Sequence, residues 1–330
     1  MSSARCGVTA ATLIGLLIGC PSWAAEAPRS SFSLLVENDV FYNTDRDYTS
    51  GVELAYTTAP DETPDGLVDF AHELPLMPDT GDVRASFSLG QDIFTPANTL
   101  LAVPPLDQRP YAGWLYAGLG LLAKDEQNLD QLEFQIGTIG PASLARDSQA
   151  FVHSILGERK PAGWHYQLRD EPTLEITYER AFKLIPPKSI LGLLFDIEPH
   201  VGAAAGNVYD YVNAGGMARF GFNLPDDFGP VRMQPTLPGT NFFEPTGGFS
   251  AYVFAGIDAR ALARNIFLDG NSFEASRSVP KKDFVGDLQL GAAIATERWR
   301  LSFTHVFRSK EYKGQPRSDQ FGAVNLTFLL

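Results

Sequence analysis

The chain has 330 residues, and its 39 acidic and 26 basic side chains give a formal net charge of −13. This excess of negative charge argues against nucleic acid as a partner, because phosphate binding depends on clustered Lys and Arg. The mean hydropathy of −0.08 fits a soluble protein, and it fits a transmembrane barrel equally well, because barrel strands alternate between apolar and polar residues.

The first 24 residues have the layout of a secretory signal peptide. Arg5 precedes an apolar stretch that runs from Val8 to Ile18, and Ser22-Trp23-Ala24 supplies small residues at a cleavage site. The apolar stretch is shorter than the roughly 20 residues of a transmembrane helix. We therefore predict export, with cleavage after Ala24 and a mature chain of residues 25–330.

Both cysteines, Cys6 and Cys20, lie in this leader, so the mature chain would have no thiol and no disulfide. An alternative is lipidation of Cys20, because Leu17-Ile18-Gly19-Cys20 resembles a lipoprotein cleavage box. The small-residue site that follows it favours ordinary cleavage.

Strand-like alternation recurs from near the mature N-terminus to the last residue. Between turn signals the sequence predicts about twelve strands, an even number as in bacterial single-chain barrels. Their predicted starts lie near Phe32, Thr49, Val83, Ala112, Asn128, Thr173, Ser189, Val208, Gly248, Lys282, Arg298 and Asp319. The last strand carries Val324, Leu326, Phe328 and Leu330 on one face.

The predicted fold class is all-β, an antiparallel up-and-down transmembrane β-barrel formed by residues 25–330 as one domain. Several segments run to about 10 residues or more, as tilted membrane strands do, whereas strands of a soluble sandwich cluster near five or six. We also expect a girdle of interfacial aromatic residues that comprises Trp114, Tyr116, Tyr178 and Trp299.

Long connections at residues 59–82 and 225–247 are rich in Pro, Gly and Asp, which predicts irregular loops. One helix is predicted in an outer connection, from Ser143 to Leu156, with Ser143 as its cap and Gly157 at its end. Gln149 and His153 are four residues apart and therefore share one face of this helix. An apolar stripe is formed by Leu144, Phe151, Val152 and Ile155.

The first outer hairpin is the first place where chemistry is expected. Asn38 and Asp39 end the first predicted strand, and antiparallel pairing brings them close to Thr49 at the start of the second. Amide, carboxylate and hydroxyl oxygens are hard ligands that suit calcium. Asp and Asn at a strand end are also common turn formers, so composition alone leaves both readings open.

His153 is the second candidate, because a neutral imidazole can accept a proton from water near pH 7. Four other histidines show that residue type alone decides little, but the topology brings His153 to the same barrel mouth as Asp39 and Thr49. No G-x-S-x-G motif occurs, and the mature chain has no thiol nucleophile. Metal-assisted attack by water is the remaining economical mechanism.

At this point the sequence resembles a known family, the outer-membrane lipid A 3′-O-deacylases, over nearly the whole mature chain. The residues that carry the resemblance are Glu37-Asn38-Asp39, Asp47-Tyr48-Thr49-Ser50-Gly51, Gly90-Gln91-Asp92-Ile93-Phe94-Thr95-Pro96, Arg109-Pro110-Tyr111-Ala112-Gly113-Trp114, Gly140-Pro141, Gln149, His153, Gly157, Pro161, Gly163-Trp164, Gly206-Asn207 and Phe267-Leu268-Asp269-Gly270.

The resemblance implies a twelve-stranded barrel with a calcium-dependent active site between its wall and the loop helix. Carried over residue by residue, it implies that His153 is the general base and Asp39 a calcium ligand. Asn38, Thr49 and Gln149 would complete the site, with Asn38 and Thr49 as further calcium ligands. Where the family pattern can place a glutamate six positions after the histidine, this chain has Arg159, preceded by Glu158.

The expected partners are lipid A or lipopolysaccharide in the outer membrane of a Gram-negative cell, with the barrel assembly machinery acting during biogenesis. Basic residues predicted at the outer rim could contact the substrate phosphates, and they are Arg46, Arg109, Arg159 and Lys160. The alternative interpretation is that each of them is a solvated loop charge with no role in binding.

Three alternatives remain open on sequence alone. A phospholipase-type acyl hydrolase would use the same residues. A passive pore or structural barrel with a decayed site would have no catalytic role for them. A soluble periplasmic β-protein would leave the bilayer on alkaline extraction.

Overall fold

A computed structural model describes residues 28–39, 47–78, 81–233 and 239–330. The predicted signal peptide and Arg46 lie outside these ranges. Thirteen strands form one antiparallel sheet: β1 (Ser31–Asn38), β2 (Asp47–Thr57), β3 (Asp82–Thr95), β4 (Ala112–Lys124), β5 (Asn128–Ile139), β6 (Glu171–Phe182), β7 (Ile185–Ile190), β8 (Leu193–Gly206), β9 (Tyr209–Phe222), β10 (Ser250–Asn265), β11 (Phe284–Ala295), β12 (Trp299–Arg308) and β13 (Asp319–Leu329).

The sheet closes into a barrel of twelve strands. β1 pairs with both β2 and β13, and β6 pairs with β8 as well as β5, so every strand except β7 belongs to a continuous ring. β7 pairs with the first residues of β8 only. The predicted barrel is confirmed, and the largest difference between a predicted and an observed ring-strand start is Ser189 against Leu193.

Side chains alternate across the wall as a membrane barrel requires. On β1 and β2 the residues Phe32, Leu34, Val52 and Leu54 are exposed on the outer face, with relative exposures from 37% to 43%. Polar residues such as Ser33 lie buried on the lumen side of the same strands. The outer face therefore presents an apolar belt toward lipid.

The predicted aromatic girdle is only partly correct. Trp114 and Tyr116 point into the lumen, where their rings contact each other and Trp114 also contacts Tyr209 and Phe267. The reason is that β4 carries apolar residues on both faces, so alternation alone does not reveal which face looks outward.

The part of the chain that the structure describes has three α-helices outside the strands, α1 (Asp65–Glu73), α2 (Ala145–Leu156) and α3 (Ile266–Asp269). α1 occupies the connection at residues 59–82, which we predicted to be irregular, because Ala71 and Met77 form an apolar cluster with Val83, Leu121 and Ala123. None of the helices in the described ranges is long and apolar enough to cross a membrane.

The long connection between β9 and β10 fills the lumen. It is irregular, as predicted, and its described residues contact strands all around the ring. Phe242 packs against Leu122 and Ala181, Arg232 donates to Glu37, and Glu244 pairs with Arg84. A segment that touches opposite walls of a closed barrel must lie inside it, so it forms an internal plug.

An ionic network joins this plug to the barrel wall. The carboxylate of Asp227 accepts hydrogen bonds from Arg219 of β9 and from Arg300 of β12, and all three side chains are fully buried or nearly so. Arg219 also pairs with Asp196 and Glu198 of β8. Buried charges are tolerated only when they are paired and hydrogen-bonded. Removal of one of these carboxylates would therefore leave a buried guanidinium without a charged partner.

Asp227→Asn should therefore lower the stability of the barrel by about 3–5 kcal/mol, because two buried guanidinium groups lose a charged partner. The urea midpoint of the purified protein in lipid or detergent measures this change. Asp69→Asn, which alters an exposed carboxylate of α1, is the matched control and should leave the midpoint unchanged. Equal midpoints for the two variants would contradict the role of Asp227.

Candidate functional site

Helix α2 lies against the outer surface of the barrel wall, in contact with β3 and β4. Trp114 of β4 faces the lumen, so its neighbour Gly113 faces outward, and a Cβ at Gly113 would collide with the side chains of Ser143 and Ala145. Glycine is thus needed where the helix approaches the wall. Ile93 and Ala145 pack with Tyr111 and Trp164 into a buried cluster beneath it.

The ends of α2 are formed differently from each other. Gly157 ends the helix at φ 73°, as predicted for a glycine in the left-handed region. The predicted Ser143 cap is wrong, because the helix begins after Leu144 at φ 59° and the Ser143 hydroxyl donates to the Gly140 carbonyl at 2.6 Å. The start is fixed instead by a short 3₁₀ turn over Pro141–Ser143.

The two faces of α2 have opposite environments. Gln149 and His153 face the wall and are only 3% and 5% exposed, respectively. Phe151 and Ile155 of the apolar stripe are 65% and 68% exposed. The helix therefore turns its polar side to the protein and its apolar side outward, where the barrel carries its apolar belt.

A small pocket of about 70 Å³ lies between the wall and this polar face. Its wall side comes from the outer faces of β1, β2 and β3, and its other side from α2. The lining residues are Asn38, Thr49, Ser50, Val52, Gln91, Ile93, Ser148, Gln149, Val152, His153 and Leu156. Such a volume holds a few water molecules.

Hydrogen bonds fix the geometry of His153. Its Nδ1 lies 2.8 Å from the backbone carbonyl oxygen of Arg159. A carbonyl oxygen only accepts, so Nδ1 must carry a proton, and in the neutral ring Nε2 then has the lone pair. The carboxylate of Glu158 lies 3.8 Å from the same nitrogen. The ring is thus held in the tautomer that a general base requires.

Gln149 and Thr49 are also held in place. The Trp164 indole N–H donates to Gln149 Oε1 at 2.8 Å, and the hydroxyls of Thr49 and Thr95 share a hydrogen bond of 2.7 Å. The backbone N–H of Asp39 donates to the Thr49 carbonyl at 3.2 Å. The expected proximity of the first strand end and Thr49 is therefore present.

The structure brings together four of the predicted site residues, Asn38, Thr49, Gln149 and His153, around one pocket. Asp39 follows Asn38 directly and is fully buried, but it is not among the residues that line this pocket.

The predicted basic contacts are distributed differently. Arg159 and Lys160 are exposed just after α2. Arg109 is fully buried, pairs with Glu311 at 3.0 Å and lies over the Phe94 ring, so the structure does not bring it to this pocket. Arg46 lies outside the described residues.

Ser50 and Gln91 were not predicted as site residues, yet they line the pocket beside Asn38. Asn38 is the register partner of Ser50, and Gln91 is the partner of Val52. These three polar residues interrupt the apolar belt on adjacent strands. A polar residue at an outward position of a barrel strand is therefore the signal that would have found them.

The donor types at this site fit calcium. Amide and hydroxyl oxygens of Asn38, Thr49 and Ser50 are hard ligands, and the next residue after Asn38 in the chain, Asp39, carries a carboxylate. Within the described ranges no group of three or more His, Cys, Asp or Glu side chains is arranged for a metal. A site of such low ligand charge would bind calcium weakly.

The closed ring and the apolar outer belt define a membrane β-barrel with a polar pocket on its lipid-facing side. The chain belongs to the family of outer membrane protein LpxR, whose match extends over residues 9–330. The fold is similar to that of LpxR from Salmonella typhimurium, with a TM-score of 0.74, 22% identity, and coverage of 91% of this chain and 100% of that chain.

Two other barrels are more distant. The beta domain of the Bordetella autotransporter BrkA has a TM-score of 0.44 at 10% identity, covering 92% of this chain and 99% of that chain. The KdgM porin has a TM-score of 0.38 at 6% identity, covering 91% and 99%, respectively. No curated protein sequence matches this chain.

Gly113→Ala should loosen α2 from the wall, because overpacking of this kind costs about 1–3 kcal/mol. That cost corresponds to about 5- to 150-fold more of the undocked helix. Trypsin cleavage after Arg146, within α2, should become faster by a comparable factor. Gly66→Ala is the control, since a Cβ there meets nothing within 4 Å, and cleavage of Gly113→Ala at the wild-type rate would refute the close approach.

Proposed function

We propose that this protein is a lipid A deacylase that hydrolyses an ester-linked acyl chain, at the 3′-O-acyl position, in the outer leaflet of the outer membrane. Membership of the LpxR family supports an outer-membrane enzyme that modifies lipid A. The observation that carries the proposal is the pocket in which His153 faces the oxygen-rich wall residues Asn38 and Thr49 on the lipid side of the barrel.

The position of the pocket suits a lipid substrate. It opens on the outer face of the wall, where the apolar belt of β1 to β3 gives way to polar residues. Ester bonds of membrane lipids lie at this same boundary between hydrocarbon and headgroup. The exposed apolar side chains of α2, such as Phe151 and Ile155, would lie beside the acyl chains.

In the proposed reaction, His153 Nε2 takes a proton from a water molecule as its oxygen attacks the ester carbonyl carbon. The carbonyl π electrons move to oxygen and form a tetrahedral oxyanion. The oxyanion collapses, the bond to the sugar oxygen breaks, and that oxygen receives the proton from His153. The products are a free fatty acid and a sugar hydroxyl, and the imidazole returns to its starting state.

The remaining residues orient these groups. The Arg159 carbonyl holds the imidazole through Nδ1, and the hydrogen bond from Trp164 fixes Gln149 beside it. Asn38, Thr49 and Asp39 would hold a calcium ion. The chemistry that such an ion supplies is polarisation of the ester carbonyl and stabilisation of the developing oxyanion.

A phospholipase-type hydrolase would use the same residues, so the substrate must be decided by assay. Mass analysis of products from purified lipid A and from glycerophospholipid separates the two activities. The filled lumen argues against the passive pore, because the plug at Asp227 and Phe242 is bonded or packed to several strands.

His153→Ala should lower the deacylation rate by about 10²- to 10⁴-fold, the usual contribution of a positioned base, while the barrel stays folded. The rate is measured by mass spectrometry of lipid A, and folding by heat-modifiable migration on a gel. His72→Ala in α1 is the control and should retain full activity. If His153→Ala were as active as wild type, His153 would have no part in the reaction.

Chelation should abolish activity, and calcium should restore it with half-saturation at about 10⁻⁴–10⁻³ M, the range for sites of low ligand charge. A titration of activity against free calcium measures this value. Asn38→Ala should shift the titration to higher calcium. Activity that persists in excess chelator would exclude the metal.

A further inference from the structure

A second and much larger cleft lies beside the proposed reaction pocket. Its volume is about 860 Å³, within the range of sites for small molecules. Residues 164–170 of the connection between β5 and β6 form one side, and residues 274–277 of the connection between β10 and β11 form the other. Arg146, in the first turn of α2, closes one end.

A hydrogen bond between two lining side chains links the cleft to the reaction pocket. Trp164 lines the cleft, and its indole N–H donates to Gln149 Oε1 at 2.8 Å. Gln149 lines the reaction pocket. A molecule with an acyl ester in the pocket would therefore extend its headgroup toward the cleft.

The lining of the cleft has more basic than acidic side chains, although the whole chain has a formal net charge of −13. Three guanidinium groups line it, from Arg146, Arg169 and Arg277, against the two carboxylates of Asp170 and Glu274. Arg169 pairs with Glu274 at 3.3 Å, and Asp170 accepts from the backbone of α2's preceding turn. This leaves Arg146 and Arg277 without a carboxylate among the ion pairs of the described residues.

The guanidinium of Arg277 is held in place by two contacts and keeps one donor without an acceptor among the described residues. Its Nη2 donates to the Pro104 carbonyl at 2.8 Å, and its guanidinium lies 5.0 Å from the centre of the Tyr166 ring. These contacts hold the group rigidly. Its Nη1 is buried and has no hydrogen-bond acceptor among the described residues, which is costly for a charged donor.

We propose that this cleft binds the phosphorylated sugar headgroup of the lipid substrate, with Arg277 and Arg146 donating to phosphate oxygens. Guanidinium groups match phosphate oxygens in geometry and charge, and a rigid guanidinium loses little entropy on binding. The proposal rests on the proposed function for the identity of the lipid. In this proposal the phosphates are bound by Arg277 and Arg146. Arg109, which the sequence suggested for this role, is buried in an ion pair with Glu311.

The test measures binding of lipid A to the full chain in detergent, in the His153→Ala background so that turnover cannot interfere. Phosphorylated lipid A is compared with the same lipid after enzymatic removal of its phosphates. Arg277→Gln should weaken binding of the phosphorylated form about tenfold and leave binding of the dephosphorylated form unchanged. Arg146→Gln should also weaken binding of the phosphorylated form. Because Arg146 is exposed, this variant should fold normally and tests the proposal even if Arg277→Gln misfolds.

Arg298→Gln is the matched control, because Arg298 is an exposed arginine in the turn between β11 and β12, on the opposite side of the membrane. Equal weakening of both lipid forms by Arg277→Gln, or none, would overturn the proposal. Displacement of lipid A by millimolar inorganic phosphate alone would identify a site for free phosphate and overturn the assignment to a headgroup.

The readout also separates the two proposals. Phosphate-dependent binding without any deacylation would refute the proposed reaction and support the cleft. Deacylation by wild type with phosphate-independent binding would support the reaction and refute the cleft.

Discussion

The structure depends on one constraint, that no backbone N–H or C=O group may be left without a partner in hydrocarbon. The pairing of β1 with β13 and of β6 with β8 meets it by closing the ring. Closure divides the side chains into an outer, apolar set and an inner, polar set. A polar group on the outer face must then be shielded from lipid. Helix α2 shields the site where Asn38, Ser50 and Gln91 interrupt the apolar belt.

The interior follows from the same division. Polar side chains that point inward need partners, and the connection between β9 and β10 supplies many of them from within the lumen. Asp227 joins Arg219 to Arg300, and Arg232 reaches Glu37 on the far wall. The barrel is therefore a solid support, and the pocket is built on its outside against a rigid wall.

Much of the fold could be predicted because strand alternation and turn residues are local signals. Ring strands, their order and the helix end at Gly157 follow from them. The start of α2 after Leu144 and the direction in which Trp114 points could not be predicted, because both depend on packing against distant elements. Helix α1 could not be predicted for the same reason, because it is stabilised by the packing of Ala71 against the outer surface of the wall.

The candidate site was predictable in part. Asn38, Thr49, Gln149 and His153 were predicted from the family resemblance and the hairpin geometry, and the structure brings them together around one pocket. The sequence did not reveal that the pocket lies outside the wall, because the face of a strand is fixed only by closure. The burial of Arg109 could not be predicted, because its partner, Glu311, is distant in the chain.

The hydrogen bond from His153 to the carbonyl of Arg159 has a consequence for how this position can vary. The acceptor belongs to the main chain, so its presence depends on the path of the backbone after Gly157 and not on which side chain follows. Residue 159 can therefore change its charge or size over evolutionary time while the imidazole keeps its tautomer. The arginine at position 159 is therefore compatible with an imidazole that is held through Nδ1.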